Sequence, residues 1–380
     1  MIRVGITGQS GFIGTHLYNT LGLYPGEFSR VPFRKDWFGE PEALAGFVGR
    51  CDVIVHLSAV NRHPDGQALY DANVELVEKL IRAMESARVR PHVLFSSSVQ
   101  QELDNPYGQS KLRGSELFIR WAECAEASYT GLVIPNVFGP FGRPDHNSFV
   151  ATFCHRLTHG EAPEIQTDKA VDLLYVGSLC REIVEEIRRR SGARASVEEF
   201  RVSPDFRSTV SQVLGWLMEF RDVYLDRGEF PFLPSDDQRN LFNTFRSYID
   251  PDTHFPVLLK RNEDPRGVFV ETVRSGGGGQ VSFSTTRPGI TRGEHYHIRK
   301  IERFTVLKGR ARICLRRIGT DRVYEFLLDG ESPAYVDMPV WYTHNITNVG
   351  TDDLYTQFWI DQPYDPSDSD TFYEPVRKDD

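Results

Sequence analysis

Residues 7–14 read TGQSGFIG and decide the fold of the first half of the chain. The apolar residues before this stretch are typical of a buried strand, and those after it have the pattern of a helix. Gly8, Gly11 and Gly14 therefore occupy a turn between a strand and a helix. Glycines in such a turn let backbone N–H groups approach a pyrophosphate, and the helix N-terminus favours its negative charge. The stretch predicts a dinucleotide site; the alternative is a glycine-rich turn without a ligand.

The same alternation of strand and helix continues after this turn. Strand-like runs at Val53–Ser58 and Val93–Ser97 alternate with helix-like stretches at Tyr70–Ser86 and Lys111–Ala127. Alternation of this kind predicts βαβ units and a parallel sheet. The near-continuous apolar strands indicate a sheet that is covered on both faces.

From about residue 255 the pattern changes to short strand-like pieces separated by turns that contain glycine or proline. The pieces are Gly267–Val273, Gln280–Thr286, Phe304–Lys308, Ala311–Arg316, Val323–Leu328, Tyr335–Met338 and Tyr355–Trp359. Such a succession is typical of a β-sandwich or a small β-barrel. Residues 225–254 are acidic and aromatic and resemble a connection more than a core. We therefore predict two domains, residues 1–248 and residues 249–380.

Composition limits the classes of function. The chain has 380 residues, 40% of them hydrophobic and 26% charged, as expected for a soluble globular protein. Its net charge of −9 argues against nucleic acid and anionic membranes as main partners. We expect no membrane span, because no run of about 18 apolar residues occurs. The five widely spaced cysteines indicate reduced thiols and a cytoplasmic location.

A second motif, Tyr107-Gly108-Gln109-Ser110-Lys111, follows a serine cluster at residues 96–98. Two residues four apart on a helix share one face, so the lysine ammonium can lower the tyrosine pKa electrostatically. A tyrosine in this setting can donate or accept a proton.

These motifs resemble the extended short-chain dehydrogenase/reductase family, which has a Y-x-x-x-K pair and the same glycine spacing. The HLSAV stretch at residues 56–60 and the PNVFGP stretch at residues 135–140 also resemble family segments. Ser58 and Val133 depart from the family pattern, at places where alanine and arginine are usual. The resemblance implies a Rossmann-type α/β domain. It also implies that Tyr107, Lys111 and Ser98 are catalytic, with Ser97 as the alternative serine.

The resemblance implies a nicotinamide cofactor. The residues expected to hold it are Gly8, Gly11, Phe12, Ile13, Gly14, Arg34, Leu57, Ala59 and Lys111. An acidic residue after the second strand selects NAD, whereas an arginine there accommodates the 2′-phosphate of NADP. This region is basic, with Arg34 and Lys35 well placed and Arg30 nearby, and it favours NADPH. The alternative is a solvated basic turn.

The C-terminal region contains a spaced set of glycine, histidine and glutamate residues: Gly289, His295, His297, Glu302 and Gly309. These residues match every anchor of the first cupin motif, so the region resembles the cupin family, which implies an all-β jelly roll. The second motif is looser, with Pro339, His344 and Asn348 in place but Trp341 where a glycine is usual.

The cupin histidines predict a metal site. His295 and His297, two apart on a strand, project from the same face. Glu302 from the neighbouring strand and His344 from a later one would complete a set of four ligands. That set suits zinc, iron, manganese or nickel, and we favour zinc, which has no redox chemistry. The alternative is ordinary core or surface histidines.

The turn at residues 264–267, DPRG, resembles the opening of cupin-type 4-keto-6-deoxysugar 3-epimerases. In those enzymes the histidine that matches His295 acts as a base and not as a ligand. If His295 binds the metal, the base could instead be Tyr342, Lys300 or a metal-bound hydroxide.

Three further stretches are NPYG at residues 105–108, NSFVATFC at residues 147–154 and PVWYTHN at residues 339–345. With these stretches and the order of its two domains, the chain resembles the CapF/WbjC family of capsule and O-antigen synthesis over essentially its whole length. The resemblance implies C3 epimerisation by the cupin domain and NADPH-dependent C4 reduction by the first domain. The implied substrate is a UDP-linked 4-keto-6-deoxy-N-acetylhexosamine, and the implied product is UDP-2-acetamido-2,6-dideoxy-L-talose of the UDP-L-FucNAc pathway. By analogy we expect a homodimer. The rival hypotheses are a reductase with a structural or sensing cupin and a non-enzymatic NADP sensor.

Overall fold

The computed structural model describes residues 1–378. Packing divides the chain into two units, one of Met1–Phe138 with Ala170–Ser208, the other of Gly139–Lys169 with the residues from Thr209 onward. The helices and strands as far as residue 209 are β1 (Ile2–Thr7), α1 (Phe12–Leu21), β2 (Phe28–Val31), α2 (Pro41–Val48), β3 (Val53–His56), α3 (Gly66–Ala87), β4 (His92–Ser98), α4 (Pro106–Ala125), β5 (Tyr129–Ile134), β6 (Asn136–Phe138), α5 (Phe149–Thr158), β7 (Ala170–Tyr175), α6 (Val176–Arg190), β8 (Val197–Arg201) and β9 (Phe206–Thr209).

A six-stranded parallel sheet forms the centre of the first unit, in the order β2-β1-β3-β4-β5-β8. All four residues of β3 are buried, as its continuous apolar sequence predicts. The apolar faces of α2, α3 and α4 pack on this sheet and bury, among others, Phe47, Leu80 and Phe118. The predicted Rossmann-type architecture is confirmed.

The second unit continues the chain with short helices and then strands. They are α7 (Val210–Phe220), α8 (Asp236–Arg246), α9 (Pro251–His254), β10 (Val257–Leu258), β11 (Arg261–Asp264), β12 (Gly267–Val270), β13 (Gln280–Thr286), β14 (Thr291–Tyr296), β15 (Glu302–Lys308), β16 (Arg310–Arg317), β17 (Val323–Asp329), β18 (Ala334–Met338), β19 (Tyr342–Asn348), β20 (Leu354–Ile360) and β21 (Phe372–Tyr373). Two five-stranded antiparallel sheets result, in the orders β10-β18-β15-β20-β13 and β17-β16-β19-β14-β21. Side chains of both sheets meet in one core, as the predicted cupin fold requires.

The segment predicted to be a connection, residues 225–254, is part of this packed unit, so that interpretation was wrong. Two of its acidic residues, Asp236 and Asp237, lie in the first turn of α8, where Asp236 is exposed, whereas Phe242 and Phe245 on the same helix are fully buried. Tyr224, just before the segment, donates a hydrogen bond of 2.7 Å to Asp337 of β18. Residues 209–254 therefore pack with the sheets, and the division of function near residue 248 stays a prediction.

Within residues 1–378, no helix is both long enough and apolar enough to cross a membrane. The five cysteines are free thiols in the structure.

Candidate active sites

The glycine turn after β1 leaves no room for a side chain at positions 8 and 14. Gly8 has a φ of +76°, and a Cβ on Gly14 would lie 2.2 Å from the carbonyl oxygen of Gly8. The amide of Gly11 donates to that same carbonyl at 2.9 Å. Phe12 and Ile13 open α1 immediately after the turn. These residues form a backbone cradle at a helix N-terminus, which fits a dinucleotide pyrophosphate.

The expected cofactor residues meet at the carboxyl edge of the parallel sheet. A Cβ on Gly8 would touch the backbone of Leu57 and Ser58, which places the glycine turn directly against the segment after β3. The strand order reverses between β1 and β3, and such a switch point is where open α/β sheets bind ligands. Ala59 lies in this same segment, half-buried.

Arg34 lies in the turn after β2, close to the glycine turn, because the amide of Phe33 donates to the side-chain oxygen of Gln9 at 3.3 Å. The Arg34 guanidinium is exposed and pairs with Asp36 at 2.6 Å. The arginine is thus available at this edge of the sheet, and its role toward a 2′-phosphate stays a prediction.

Tyr107 and Lys111 lie in the first turns of α4. The Asn105 side chain caps this helix by accepting from the amide of Gly108 at 2.9 Å. The buried Lys111 ammonium donates to the carbonyl of Ser96 at 2.7 Å, which ties the helix to the end of β4. Burial lowers the pKa of Lys111 to about 7 and raises the pKa of the half-buried Tyr107 to about 12. We expected Lys111 to lower the pKa of Tyr107, but burial raises it instead.

Two further polar residues bear on this site. The Ser98 hydroxyl accepts from the amide of Gln100 at 3.2 Å, so it caps the turn after β4, and its catalytic role stays a prediction. The buried Asn73 of α3 accepts from the amide of Val60 at 2.6 Å and donates to the Ser110 hydroxyl at 3.0 Å. Asn73 therefore joins the segment after β3 to the helix that carries Tyr107 and Lys111.

The second unit brings the four expected metal ligands together. One donor atom from each of His295, His297, Glu302 and His344 lies within 4.8 Å of the others. Two details of the prediction were wrong. Glu302 begins β15, which belongs to the opposite sheet and not to a strand beside β14. His297 lies one residue beyond β14, because the strand ends at Tyr296.

Two contacts in this cluster have lengths close to the spacing of ligands around a tetrahedral metal ion. The Nε2 atoms of His297 and His344 lie 3.2 and 3.3 Å from Glu302 Oε2. Donors about 2.0–2.2 Å from a tetrahedral zinc are separated by roughly 3.3–3.5 Å. Apart from this contact with Glu302, the buried His344 Nε2 has no hydrogen-bond partner among the described residues, so it is available to a metal. The donor set of three histidines and one carboxylate suits a divalent transition metal.

Burial and the neighbouring groups set the charges in this cluster. Burial lowers the pKa of His295 to about 4, and His344 and His297 lower it further in the same direction. Burial acts to raise the pKa of Glu302, but its contacts with His297 and His344 outweigh that effect and lower it. Burial acts to lower the pKa of His297, but its contacts with Glu302 and Asp370 outweigh that effect and raise it. A neutral imidazole and an ionised carboxylate are the forms in which these residues would bind a metal.

The residues considered as the epimerase base lie in different surroundings. Burial raises the pKa of Tyr342 to about 12. The buried Lys300 donates to the carbonyl of Ser369 at 2.9 Å. The choice of base therefore stays open.

Sequence reasoning missed two backbone features beside the cluster. Glu294 has a φ of +61° in a β-bulge between Gly293 and His295, directly before the first histidine of the cluster. Trp341 has a φ of +63°, the left-handed conformation of the glycine that it replaces. Its amide donates to the carbonyl of His297 at 2.7 Å. The glycine in the usual motif was the available signal for this conformation.

Comparison with known proteins places both sites in families. The NAD dependent epimerase/dehydratase family matches residues 4–195, and the polysaccharide biosynthesis C-terminal domain matches residues 262–372. The UDP-2-acetamido-2,6-beta-L-arabino-hexul-4-ose reductase of Pseudomonas aeruginosa is 33% identical over 98% of this chain and 98% of its own length.

Solved structures agree. The capsular polysaccharide assembling protein CapF from Staphylococcus aureus is 32% identical, with a TM-score of 0.60, over 99% of this chain and 100% of its own. RMD from Pseudomonas aeruginosa, solved with NADPH, is 22% identical, with a TM-score of 0.51, over 59% of this chain and 83% of its own, and shares the fold of that part.

The chain therefore belongs to the NAD dependent epimerase/dehydratase family, in the CapF-like group that carries a polysaccharide biosynthesis C-terminal domain. The prediction of an enzyme, a nicotinamide-dependent oxidoreductase, is confirmed by this membership.

Proposed function

We propose that the chain carries out two successive reactions on one nucleotide sugar, a UDP-2-acetamido-2,6-dideoxy-4-hexulose. The second unit inverts C3, and the first unit then reduces the C4 ketone with NADPH to give UDP-2-acetamido-2,6-dideoxy-L-talose. The name of the Pseudomonas aeruginosa relative, a reductase of a UDP-linked 4-ulose, supports the substrate class. The name of the Staphylococcus aureus relative, a capsular polysaccharide assembling protein, supports a place in capsule synthesis.

The buried ligand cluster carries the proposal for the first reaction. The C4 ketone acidifies the C3 proton, so a base removes that proton and the resulting enolate is reprotonated on its other face. A divalent metal held by the cluster, with zinc favoured, would supply a Lewis acid for the negative charge that develops on the ketone oxygen. Burial keeps His295 neutral at pH 7, a form that can either accept the proton or bind a metal. If it binds the metal, Tyr342, Lys300 or a metal-bound hydroxide remains as the base.

The Tyr107–Lys111 pair carries the proposal for the second reaction. NADPH, when bound in the glycine cradle, supplies the hydride that adds to C4. Tyr107 stays protonated near pH 7, because burial raises its pKa to about 12, so its hydroxyl can donate the proton to the ketone oxygen. Lys111 would hold the nicotinamide ribose, Ser98 would hydrogen-bond the substrate oxygen, and Arg34 would receive the 2′-phosphate. The basic turn around Arg34 supports NADPH over NADH. A homodimer in the cytoplasm stays part of this proposal.

Epimerisation must come first, since only the 4-keto form has an acidic C3 proton. The test incubates the UDP-4-keto-6-deoxy-N-acetylhexosamine with the full chain in heavy water without NADPH, and mass spectrometry measures the recovered sugar. The proposal predicts a gain of one deuterium that disappears in His344→Ala. If no deuterium enters while added NADPH is still oxidised, the protein is instead a reductase with a structural metal barrel.

A further inference from the structure

The backbone between two of the cluster residues is held by carboxylates from far along the chain. His297 and Glu302 are separated by residues 298–301, which form no strand. The Asp370 carboxylate accepts from the amides of residues 298, 299 and 300, at 3.2, 3.1 and 2.9 Å. Asp361 accepts from the next amide, that of residue 301, at 2.8 Å. Successive amides of this loop therefore point at fixed acceptors.

Asp370 also touches the cluster through its backbone. The Nδ1 atom of His297 lies 2.6 Å from the carbonyl oxygen of Asp370. A carbonyl oxygen only accepts, so Nδ1 carries a proton, and in the neutral ring that a metal requires the lone pair then lies on Nε2. That Nε2 atom faces Glu302 Oε2 at 3.2 Å. One residue thus sets both the tautomer of His297 and the path of the chain to Glu302.

The conformation of Asp370 suits both contacts. The residue is 5% exposed and has a φ of +49°, a left-handed conformation that aspartate and asparagine adopt more readily than most residues. The strand that follows it, β21, pairs with β14, opposite His295 and Tyr296. This pairing anchors the segment beside the cluster, so Asp370 is held in place from its C-terminal side.

We propose that Asp370 is a positioning residue for the metal centre: its carboxylate fixes the loop from His297 to Glu302, and its carbonyl fixes the ligating nitrogen of His297. This role rests on the metal-dependent function proposed above. Carbonyl or carboxylate partners of ligating histidines orient the ring, and changing such partners typically weakens metal binding 10–100-fold.

The test compares three variants of the full chain. Asp370→Gly keeps the left-handed backbone available and removes the carboxylate. Asp370→Asn keeps one acceptor oxygen, so at most two of the three amide bonds survive. Asp365→Asn is the control, because Asp365 caps the amide of Ser367 in the same stretch at 2.8 Å without touching the cluster.

The measurements are zinc affinity, by competition with a chromophoric chelator, and the visible absorption spectrum of the cobalt-loaded protein. We expect zinc affinity to fall roughly 10–100-fold in Asp370→Gly and by a smaller factor in Asp370→Asn, with altered cobalt bands in both. The control should match the wild type. If Asp370→Gly does not fold, Asp370→Asn decides on the same two readouts.

Unchanged zinc affinity and cobalt bands, with only a lower thermal midpoint, would reduce Asp370 to a structural cap and overturn the inference. If the wild-type chain itself binds neither zinc nor cobalt, the proposed metal function fails, and that result is distinct from failure of the positioning role.

Discussion

His295 and His344 lie directly opposite each other on the paired strands β14 and β19, with ring centroids 4.6 Å apart. The register of a β-ladder therefore brings two cluster residues together that are far apart in the sequence. Glu302 reaches the same point from the opposite sheet. The cluster thus depends on the packing of the two sheets as well as on the motif.

His344→Gln should abolish tight metal binding, because it removes one of the four donor atoms. The glutamine amide is a weaker ligand than the imidazole and does not replace it. We expect a loss in zinc affinity of more than about 100-fold, beyond the range for residues that only orient a ligand. Metal content after dialysis, by mass spectrometry, checks this. His159→Gln, an exposed histidine outside the cluster, is the control. Equal metal content in the two variants would contradict the assignment.

The left-handed conformation of Trp341 predicts that a glycine variant at this position is more stable than an alanine variant. Its φ of +63° costs a residue with a Cβ about 1–2 kcal/mol, whereas its buried ring, stacked on Tyr296 at 5.8 Å, stabilises the fold. Both Trp341→Gly and Trp341→Ala should therefore lower the free energy of unfolding, by roughly 3–5 kcal/mol for the alanine variant.

The glycine variant should nevertheless be more stable than the alanine variant by about 1 kcal/mol, opposite to the usual order. Chemical denaturation of the full-length variants measures the difference. An alanine variant that equals or exceeds the glycine variant would show that the left-handed conformation is not retained.

A substitution of Arg34 tests whether this residue makes the enzyme prefer NADPH to NADH. Arg34→Ala should raise the KM for NADPH roughly 10–100-fold, as for the loss of a hydrogen bond to a charged group, with little change for NADH. Asp36→Ala is the matched control, since it removes the 2.6 Å partner of Arg34 and leaves the guanidinium free for a phosphate. The assay is initial-rate NADPH and NADH oxidation. An equal rise in KM for both cofactors would exclude a 2′-phosphate contact by Arg34.

The lowered pKa values of two buried histidines predict that the protein loses stability as the pH falls. Burial lowers the pKa of His56 to about 3 and of His92 to about 4, against about 6.5 when the chain is unfolded. Between pH 6.5 and 4 the unfolded chain binds more protons, so the stability present above pH 6.5 is lost as the pH falls.

Each histidine contributes up to about 1.4 kcal/mol per pH unit to that slope. Urea unfolding between pH 6.5 and 5.5, where most carboxylates remain ionised in both states, measures it. His92→Gln should reduce the slope, and a slope equal to that of the wild type would refute the assignment to His92.

The parts that the sequence predicted well are those in which neighbouring residues act together. The glycine turn and the Tyr107–Lys111 pair each lie within one strand–turn–helix or one helix, so local spacing determines their geometry. The structure places Lys111 four residues after Tyr107 on α4, with its ammonium 5.7 Å from the centre of the tyrosine ring.

Contacts between residues far apart in the chain could not be predicted from the sequence. Asp370 meets His297 across 73 residues, and no periodicity links the two positions. The sheet that carries Glu302 depends on the order in which strands pair, which spacing alone does not give. Residues 225–254 were misread because their average composition hides the separation of exposed acidic and buried aromatic residues on α8.

The most direct test of two reactions at two sites uses Tyr107→Phe with the 4-keto sugar nucleotide in heavy water. We predict that this variant incorporates deuterium at C3 at the wild-type rate, while its NADPH oxidation falls about 10²–10⁴-fold, the usual contribution of a general acid. Loss of both activities, or retention of both, would contradict the assignment of epimerisation and reduction to separate sites.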